Sequence, residues 1–129
     1  MKGINQMREL NTIQKREKLN NVYATDEKGN GGANHKYEIR AVVNAETNEF
    51  LCQPIYFQNG ARKLPDSEHG VLDTDLLEIV RDRLIGFQQG EFATEYNAKA
   101  LEHLELALMY MNRRVEDRIE RQVLGTNNK

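Results

Sequence analysis

The sequence predicts an α+β fold, in which an N-terminal antiparallel sheet of three or more strands precedes a C-terminal antiparallel two-helix hairpin. Two observations predict it. β-branched and aromatic residues cluster between turn residues in the first half of the chain, whereas apolar residues recur at spacings of three and four in the second half. The 129 residues fit a single domain, 1–129. We expect an arm and the sheet over 1–72 and the hairpin over 73–129.

The first half of the chain contains three segments with the composition of strands. In the second, Tyr37, Ile39 and Ala41 alternate with charged residues, which is the period of a half-buried strand. The stretch NAETN is typical of a tight turn between two strands. The predicted strands are 20–25, 35–43 and 49–57.

Two smaller expectations concern the sheet half. The apolar residues of segment 1–18 are weakly spaced, which favours a short helix over an irregular arm. Cys52 lies inside the third predicted strand and is expected to be a small core residue.

The second half predicts two helices, 74–89 and 95–123. Asp75 with Glu78 resembles a capping pair for the first helix, and Thr94 is a candidate cap for the second. Gly90 and Gly125 are expected to end them. The linker between the helices is short, so they should fold back as an antiparallel hairpin. The expected apolar seams are Leu77, Val80, Leu84 and Phe87 on the first helix, and Leu101, Leu104, Leu108, Met111 and Val115 on the second.

The stretch NRRVEDRIER places four arginines at the end of the second helix. Asp117 is spaced to pair with both Arg113 and Arg121, as on many solvated helix surfaces. Arg118 instead continues the apolar seam and has Arg114 one turn before it. Two like charges at this spacing repel, so an anion or a carboxylate from another segment is needed between or beside them.

Composition excludes several classes of function. The formal net charge of −2 argues against coating duplex DNA or an anionic membrane. No segment approaches the roughly 20 apolar residues of a membrane span, and no signal peptide is evident, so a cytoplasmic protein is expected. A single cysteine and three histidines on separate elements predict no metal site. No nucleophile has a base at a recognisable spacing, so no catalytic residue and no cofactor is expected.

Five stretches together carry a resemblance to a known family. They are GANHKYEI, FQNG, LLEIVRDRLIGFQQGEF, and NAKALEHLELAL with NRRVEDRIERQVLGT, and they span residues 32–126. This set resembles the Thoeris anti-defence sponge family of bacteriophages, whose helical hairpin is shared with the phage sponges that counter CBASS immunity. Gln122 and Leu124 depart from the family, which more often has glycine and glutamate at these positions.

The resemblance implies a protein that is not an enzyme. It implies binding and sequestration, without cleavage, of cyclic nucleotide immune signals such as glycocyclic ADP-ribose made by Thoeris TIR proteins, and in some members cyclic di- or trinucleotides of CBASS systems. It also implies a homodimer or a hexamer built from dimers, acting in the cytoplasm of the infected bacterium, with neither duplex nucleic acid nor membrane as a partner.

The same resemblance implies the ligand-binding residues. Phe87 is expected to stack on an adenine, Asn97 to make a polar contact, Arg114 and Arg118 to bind phosphate, and Arg62 to add a further basic contact. From the residues alone, Phe87 is better explained as the last core residue of its seam, and Asn97 as a polar residue of the first helical turn.

Helix geometry restricts how these residues can meet. Asn97 and Arg118 are 21 residues apart on one predicted helix, which corresponds to roughly 32 Å. A ligand the size of ADP-ribose cannot reach both ends of one hairpin, so the pocket is expected to combine two protomers of a two-fold dimer. Two alternatives stay open: an oligomeric hairpin protein whose arginines bind an acidic partner, and a cyclic nucleotide hydrolase.

Overall fold

The structure, a computed structural model, describes residues 7–126 and 129. The chain forms two compact units. The first comprises the chain up to Gly60 together with Asp66–Gly70, and the second comprises Ala61–Pro65 together with the chain from Val71 onward. The short segment Ala61–Pro65 therefore belongs with the helices rather than with the sheet. Within the described part of the chain, no helix is long and apolar enough to span a membrane.

The first unit contains a four-stranded antiparallel sheet in the order β1-β2-β3-β4. The turn between β3 and β4 is the predicted NAETN stretch, where the side chain of Asn44 accepts hydrogen bonds from the backbone N–H groups of Glu46 and Thr47. The prediction of an antiparallel sheet is confirmed, with one strand more than the three named segments. The strands are β1 (Arg8–Glu9), β2 (Asn21–Ala24), β3 (Lys36–Asn44) and β4 (Glu49–Tyr56).

The extra strand β1 lies in the segment for which a helix was expected, and that expectation is wrong for residues 7–18. Arg8 pairs with Ala24 in the sheet register, and its guanidinium donates to Oδ1 of Asn34 at 2.9 Å. These tertiary contacts outweigh a weak local helical pattern. Residues 1–6 of the predicted helix lie outside the described residues.

A polar cluster fixes the loop between β2 and β3. The Asp26 carboxylate accepts hydrogen bonds from the Asn34 side-chain amide and from the backbone N–H of His35, at 3.1 Å each. Burial raises the pKa of Asp26, but the bonds from Asn34 and His35 outweigh it, and its pKa is lowered overall. The ionised carboxylate therefore stabilises this loop.

Cys52 is exposed, so its expected place in the core is wrong. Its side chain lies on the polar face of the sheet, where Sγ is 3.4 Å from Oε1 of Glu38. The same carboxylate accepts two hydrogen bonds from Arg40, at 2.6 and 2.8 Å, and this contact lowers the pKa of Glu38. Strand β3 thus carries an ion pair on one face, and Cys52 of β4 lies beside it.

The second unit is an antiparallel helical hairpin, as predicted. Helix α1 spans Asp73–Gln88 and helix α2 spans Glu95–Glu120. Thr94 caps α2 by accepting the N–H of Asn97 at 3.0 Å, which confirms the predicted cap. The cap of α1 differs from the prediction, because Asp75 reaches back to the N–H of Leu72 at 2.8 Å and does not pair with Glu78.

The face of α1 that turns inward is shifted from the predicted seam. Its half-buried stripe contains Leu77, Arg81, Leu84 and Gln88, whereas Val80 and Phe87 are exposed. Arg81 belongs there because its Nε donates to Glu105 on α2 at 2.7 Å, a contact that raises the pKa of Arg81. The predicted seam of α2 is confirmed, since its five apolar members are all half-buried.

Helix α2 ends three residues before the predicted boundary, and Gln122 rather than Gly125 ends it. Gln122 adopts a left-handed conformation with φ of 57°. The N–H of Gln122 donates to the carbonyl of Ile119, and the N–H of Val123 donates to the carbonyl of Arg118, both at 2.9 Å. This pair of bonds is the Schellman pattern, which glycine usually completes.

Candidate functional site

Phe87 lies on the surface near the loop that joins the two helices. It is 41% exposed, and the guanidinium carbon of Arg83, one turn earlier on α1, lies 5.3 Å from the centre of its ring. An aromatic ring with an exposed surface can stack on a purine. The exposure of Phe87 contradicts the explanation of this residue as the end of a buried seam.

Asn97 lies at the same end of the hairpin. Its side-chain amide donates to the backbone carbonyl of Phe92 at 3.4 Å, and it is half-buried. The side chain of Gln88 braces the same loop by exchanging two 3.0 Å hydrogen bonds with the backbone of Thr94. Sequence reasoning did not single out the neighbouring aromatic residues Phe92 and Tyr96, which are 68% and 88% exposed.

We refer to this region as the aromatic end. It groups one cation, three exposed rings and one amide at one end of the hairpin, on the last turns of α1, the connecting loop and the first turn of α2, and side-chain hydrogen bonds hold that loop. Its members are Arg83, Phe87, Phe92, Tyr96 and Asn97.

The predicted arginines lie at the opposite end of α2. Arg114 is exposed and makes no hydrogen bond or ion pair with any described residue. Asp117 pairs with Arg121 at 3.1 Å, as predicted, but the expected pair between Asp117 and Arg113 is not formed among the described residues. Arg114 is thus an unneutralised guanidinium on an exposed helix face.

Arg118 is half-buried and is held by its own chain. Its Nη2 donates to the backbone carbonyls of Val123 and Thr126, both at 3.0 Å. Among the described residues, the partners of Arg118 are therefore backbone carbonyls that follow the helix, and not the carboxylate from another segment that the sequence pattern left open. These bonds use one guanidinium nitrogen and hold the head group in a defined place at the end of α2.

The predicted residue Arg62 lies in the segment Ala61–Pro65, which belongs to the same unit as the hairpin. The side chain of the next residue, Lys63, packs against Gly125 so closely that a Cβ added at Gly125 would lie 2.9 Å from it. The backbone turn that Arg118 holds is therefore also covered by Lys63. We refer to Arg62, Lys63, Arg114 and Arg118 as the basic end.

One chain keeps the aromatic end and the basic end apart. Asn97 lies in the first turn of α2 and Arg118 in its last turn, so the two are separated by about 32 Å of helix rise. Of the predicted residues, the structure brings Phe87 and Asn97 to one end and places Arg114 and Arg118 at the other. Within the described residues, no group of three or more histidine, cysteine or carboxylate side chains is arranged to hold a metal ion.

Comparison with known proteins identifies the hairpin. Residues 53–116 match the family model described as Acb2/Tad1, hairpin domain. The matched range includes Arg62, Phe87, Asn97 and Arg114, and it ends two residues before Arg118.

A curated relative extends the match beyond the hairpin. It is named Thoeris anti-defense 1, comes from Bacillus phage SBSphiJ7, and is 44% identical over 104 residues. The alignment covers 78% of this chain and 66% of the relative, so the chain spans slightly less than two thirds of that protein's length. With the sheet and the hairpin described above, these matches show that the chain belongs to the Thoeris anti-defence family of bacteriophages.

Proposed function

We propose that this protein binds and sequesters a cyclic nucleotide immune signal, without cleaving it, in the cytoplasm of an infected bacterium. Glycocyclic ADP-ribose made by Thoeris TIR proteins is the proposed ligand, and the cyclic oligonucleotides of CBASS systems are a second proposed class. The Thoeris anti-defence name of the relative supports the first choice. The proposed binding residues are Phe87, Asn97, Arg114, Arg118 and Arg62.

The observation that carries this proposal is the division of suitable groups between the two ends of one hairpin. ADP-ribose has a purine at one end of a pyrophosphate, so it needs a flat apolar surface and a cluster of cations. The aromatic end supplies the exposed ring of Phe87, and the basic end supplies the unneutralised guanidinium of Arg114. Stacking contributes about 1–3 kcal/mol per base, and arginine binds phosphate oxygens in a bidentate fork.

We propose that two copies of the chain complete each site. In an antiparallel two-fold pair of hairpins, the aromatic end of one copy meets the basic end of the other, which gives two equivalent sites. The packing of the hairpin supports association, because neither α1 nor α2 contains a fully buried residue. Large apolar side chains stay exposed on both helices, among them Ile79, Leu106, Met109 and Tyr110.

Arg118 has a distinct role in this proposal. Its bonds to the carbonyls of Val123 and Thr126 hold the guanidinium in place before ligand arrives, and a preorganised donor avoids the entropic cost of ordering a long side chain on binding. Arg114 is exposed and supplies charge that no described residue neutralises.

Capture followed by release tests the proposal. Purified protein is incubated with glycocyclic ADP-ribose, the loss of free ligand is measured, the protein is heat-denatured, and the supernatant is analysed by mass spectrometry. Intact ligand recovered in proportion to protein supports sequestration. A converted product would instead indicate a hydrolase. Absence of capture would favour an interaction protein whose arginines bind an acidic partner.

A further inference from the structure

We infer that Arg83 is an additional phosphate-binding residue of the aromatic end, which pairs with Phe87 to recognise a base together with its neighbouring phosphate. The inference rests on the proposed function, because it concerns the same ligand. It assigns a role to a cation on α1, whereas all the arginines proposed above lie on α2 or in the segment Ala61–Pro65.

Two arginines on the same helix have contrasting surroundings. Arg81 is neutralised by two carboxylates, since it bonds Glu105 at 2.7 Å and Glu78 at 3.4 Å. Arg83 makes no hydrogen bond or ion pair with any described residue, and its guanidinium instead lies over the ring of Phe87.

The surroundings of Arg83 on its own helix explain this isolation. Positions three and four residues away are Ile79, Val80, Gly86 and Phe87, none of which carries a charge. A positive charge is therefore held beside an aromatic surface with no carboxylate at helical spacing.

The spacing of Arg83 and Phe87 suits a nucleotide. Arg83 and Phe87 are four residues apart and share one helix face, separated by about 6 Å of helix rise. A nucleotide presents its phosphate one sugar away from its base, so a ring and a cation one turn apart match these two features. Arg83 already contacts the ring at 5.3 Å, and a small rotation of its flexible side chain turns the guanidinium toward a phosphate while Phe87 stacks on the base.

Three substitutions separate a role in charge from a role in packing. Arg83→Lys keeps the charge, Arg83→Met keeps an apolar contact with Phe87, and Arg83→Gln keeps neither. The dissociation constant for glycocyclic ADP-ribose is measured by calorimetry at low and high salt. We expect Arg83→Met and Arg83→Gln to weaken binding about tenfold, the magnitude of one hydrogen bond to a charged group at an exposed site, and Arg83→Lys to stay within about threefold of the unsubstituted protein.

Salt provides an independent readout. Dissolved ions screen a contact between arginine and phosphate. Raising the salt concentration should therefore reduce the difference in dissociation constant between the unsubstituted protein and Arg83→Met. Lys99→Gln is the matched control, since Lys99 is an exposed cation at the start of α2 that is already neutralised by Glu102 at 3.7 Å, and the variant should bind like the unsubstituted protein.

Two results would overturn the inference. Unchanged affinity in Arg83→Gln would remove Arg83 from the site, and full affinity in Arg83→Met would reduce it to a packing residue. Both results require that the unsubstituted protein captures the ligand, so they are distinguishable from failure of the proposed function, in which no version of the protein binds it.

Discussion

Arg113 and Arg114 are adjacent, exposed and equally charged, and neither makes an ion pair with a described residue. They differ in direction, because one residue step turns about 100° around an α-helix. Arg114 lies on the same helix face as Arg118, four residues later, whereas Arg113 lies on the same face as Asp117. The two residues therefore form a natural pair of test site and control.

Arg114→Gln is predicted to weaken capture of glycocyclic ADP-ribose by about tenfold or more, because a hydrogen bond to a charged group contributes about 1.5–3 kcal/mol. Arg113→Gln removes the same charge one residue away and should leave capture unchanged. Titration of free ligand against each purified variant measures the effect. An equal loss of ligand capture in both variants would show that capture depends only on the net charge of this helix end.

Gln122 is a second informative residue, because it occupies the left-handed position at which helix ends favour glycine. Gln122→Gly should raise the free energy of unfolding by about 0.5–1 kcal/mol, since relief of backbone strain exceeds the entropy that glycine adds to the unfolded chain. Urea denaturation followed by circular dichroism measures it. A loss of stability would mean that the Gln122 side chain makes a contact that outweighs the strain.

At the scale of single elements, Asp26 makes the stability of the loop before β3 depend on pH. Its pKa is lowered, so its ionised form stabilises the fold above the ordinary pKa of about 3.8, and this contribution is lost as pH falls through the lower folded value. Asp26→Asn should reduce the free energy of unfolding at pH 7 by about 1 kcal/mol.

The pH dependence of this effect supplies its control. The difference between Asp26→Asn and the unsubstituted protein should shrink as pH falls below the ordinary pKa of the carboxyl group. Asp82 is an exposed carboxylate on α1 with no hydrogen bond to a described residue. Asp82→Asn should therefore change the free energy of unfolding little, both at pH 7 and below the ordinary pKa of the carboxyl group. A difference for Asp26→Asn that is constant with pH would argue against the ionised carboxylate as its cause.

Elements with a strong local signal were predictable from the sequence. Strands β2, β3 and β4 follow from alternation and turn residues. The cap at Thr94 follows from its residue type, and the α2 seam follows from helical spacing. The inner face of α1 was not predictable in this way, because its stripe includes Arg81 and Gln88. Their polar groups are satisfied by Glu105 on α2 and by the backbone at Thr94, contacts that no local pattern displays.

The candidate site was predictable in part for a similar reason. The resemblance named Phe87, Asn97 and Arg114, and their roles remain predictions. The partners of Arg118 could not be foreseen, because its bonds to Val123 and Thr126 depend on the left-handed turn at Gln122. The contact between Arg83 and Phe87 does not follow from the seam pattern, because that pattern places Phe87 in the interior, whereas its ring is exposed.

At the scale of the whole molecule, the central claim is that each site takes its aromatic end from one copy and its basic end from another. The helix length carries the claim, because about 32 Å separates Asn97 from Arg118. A site built within one chain and a site shared between two chains make opposite predictions for mixtures of two defective variants.

The decisive measurement is therefore complementation between Phe87→Ala and Arg114→Gln. Each variant alone should capture little glycocyclic ADP-ribose, since every site lacks one essential group. After co-expression and random pairing, half of the dimers are mixed, and each mixed dimer has one intact site, so capture should recover to about a quarter of the unsubstituted capacity. Capture that stays at the level of the separate variants would contradict a site shared between two chains.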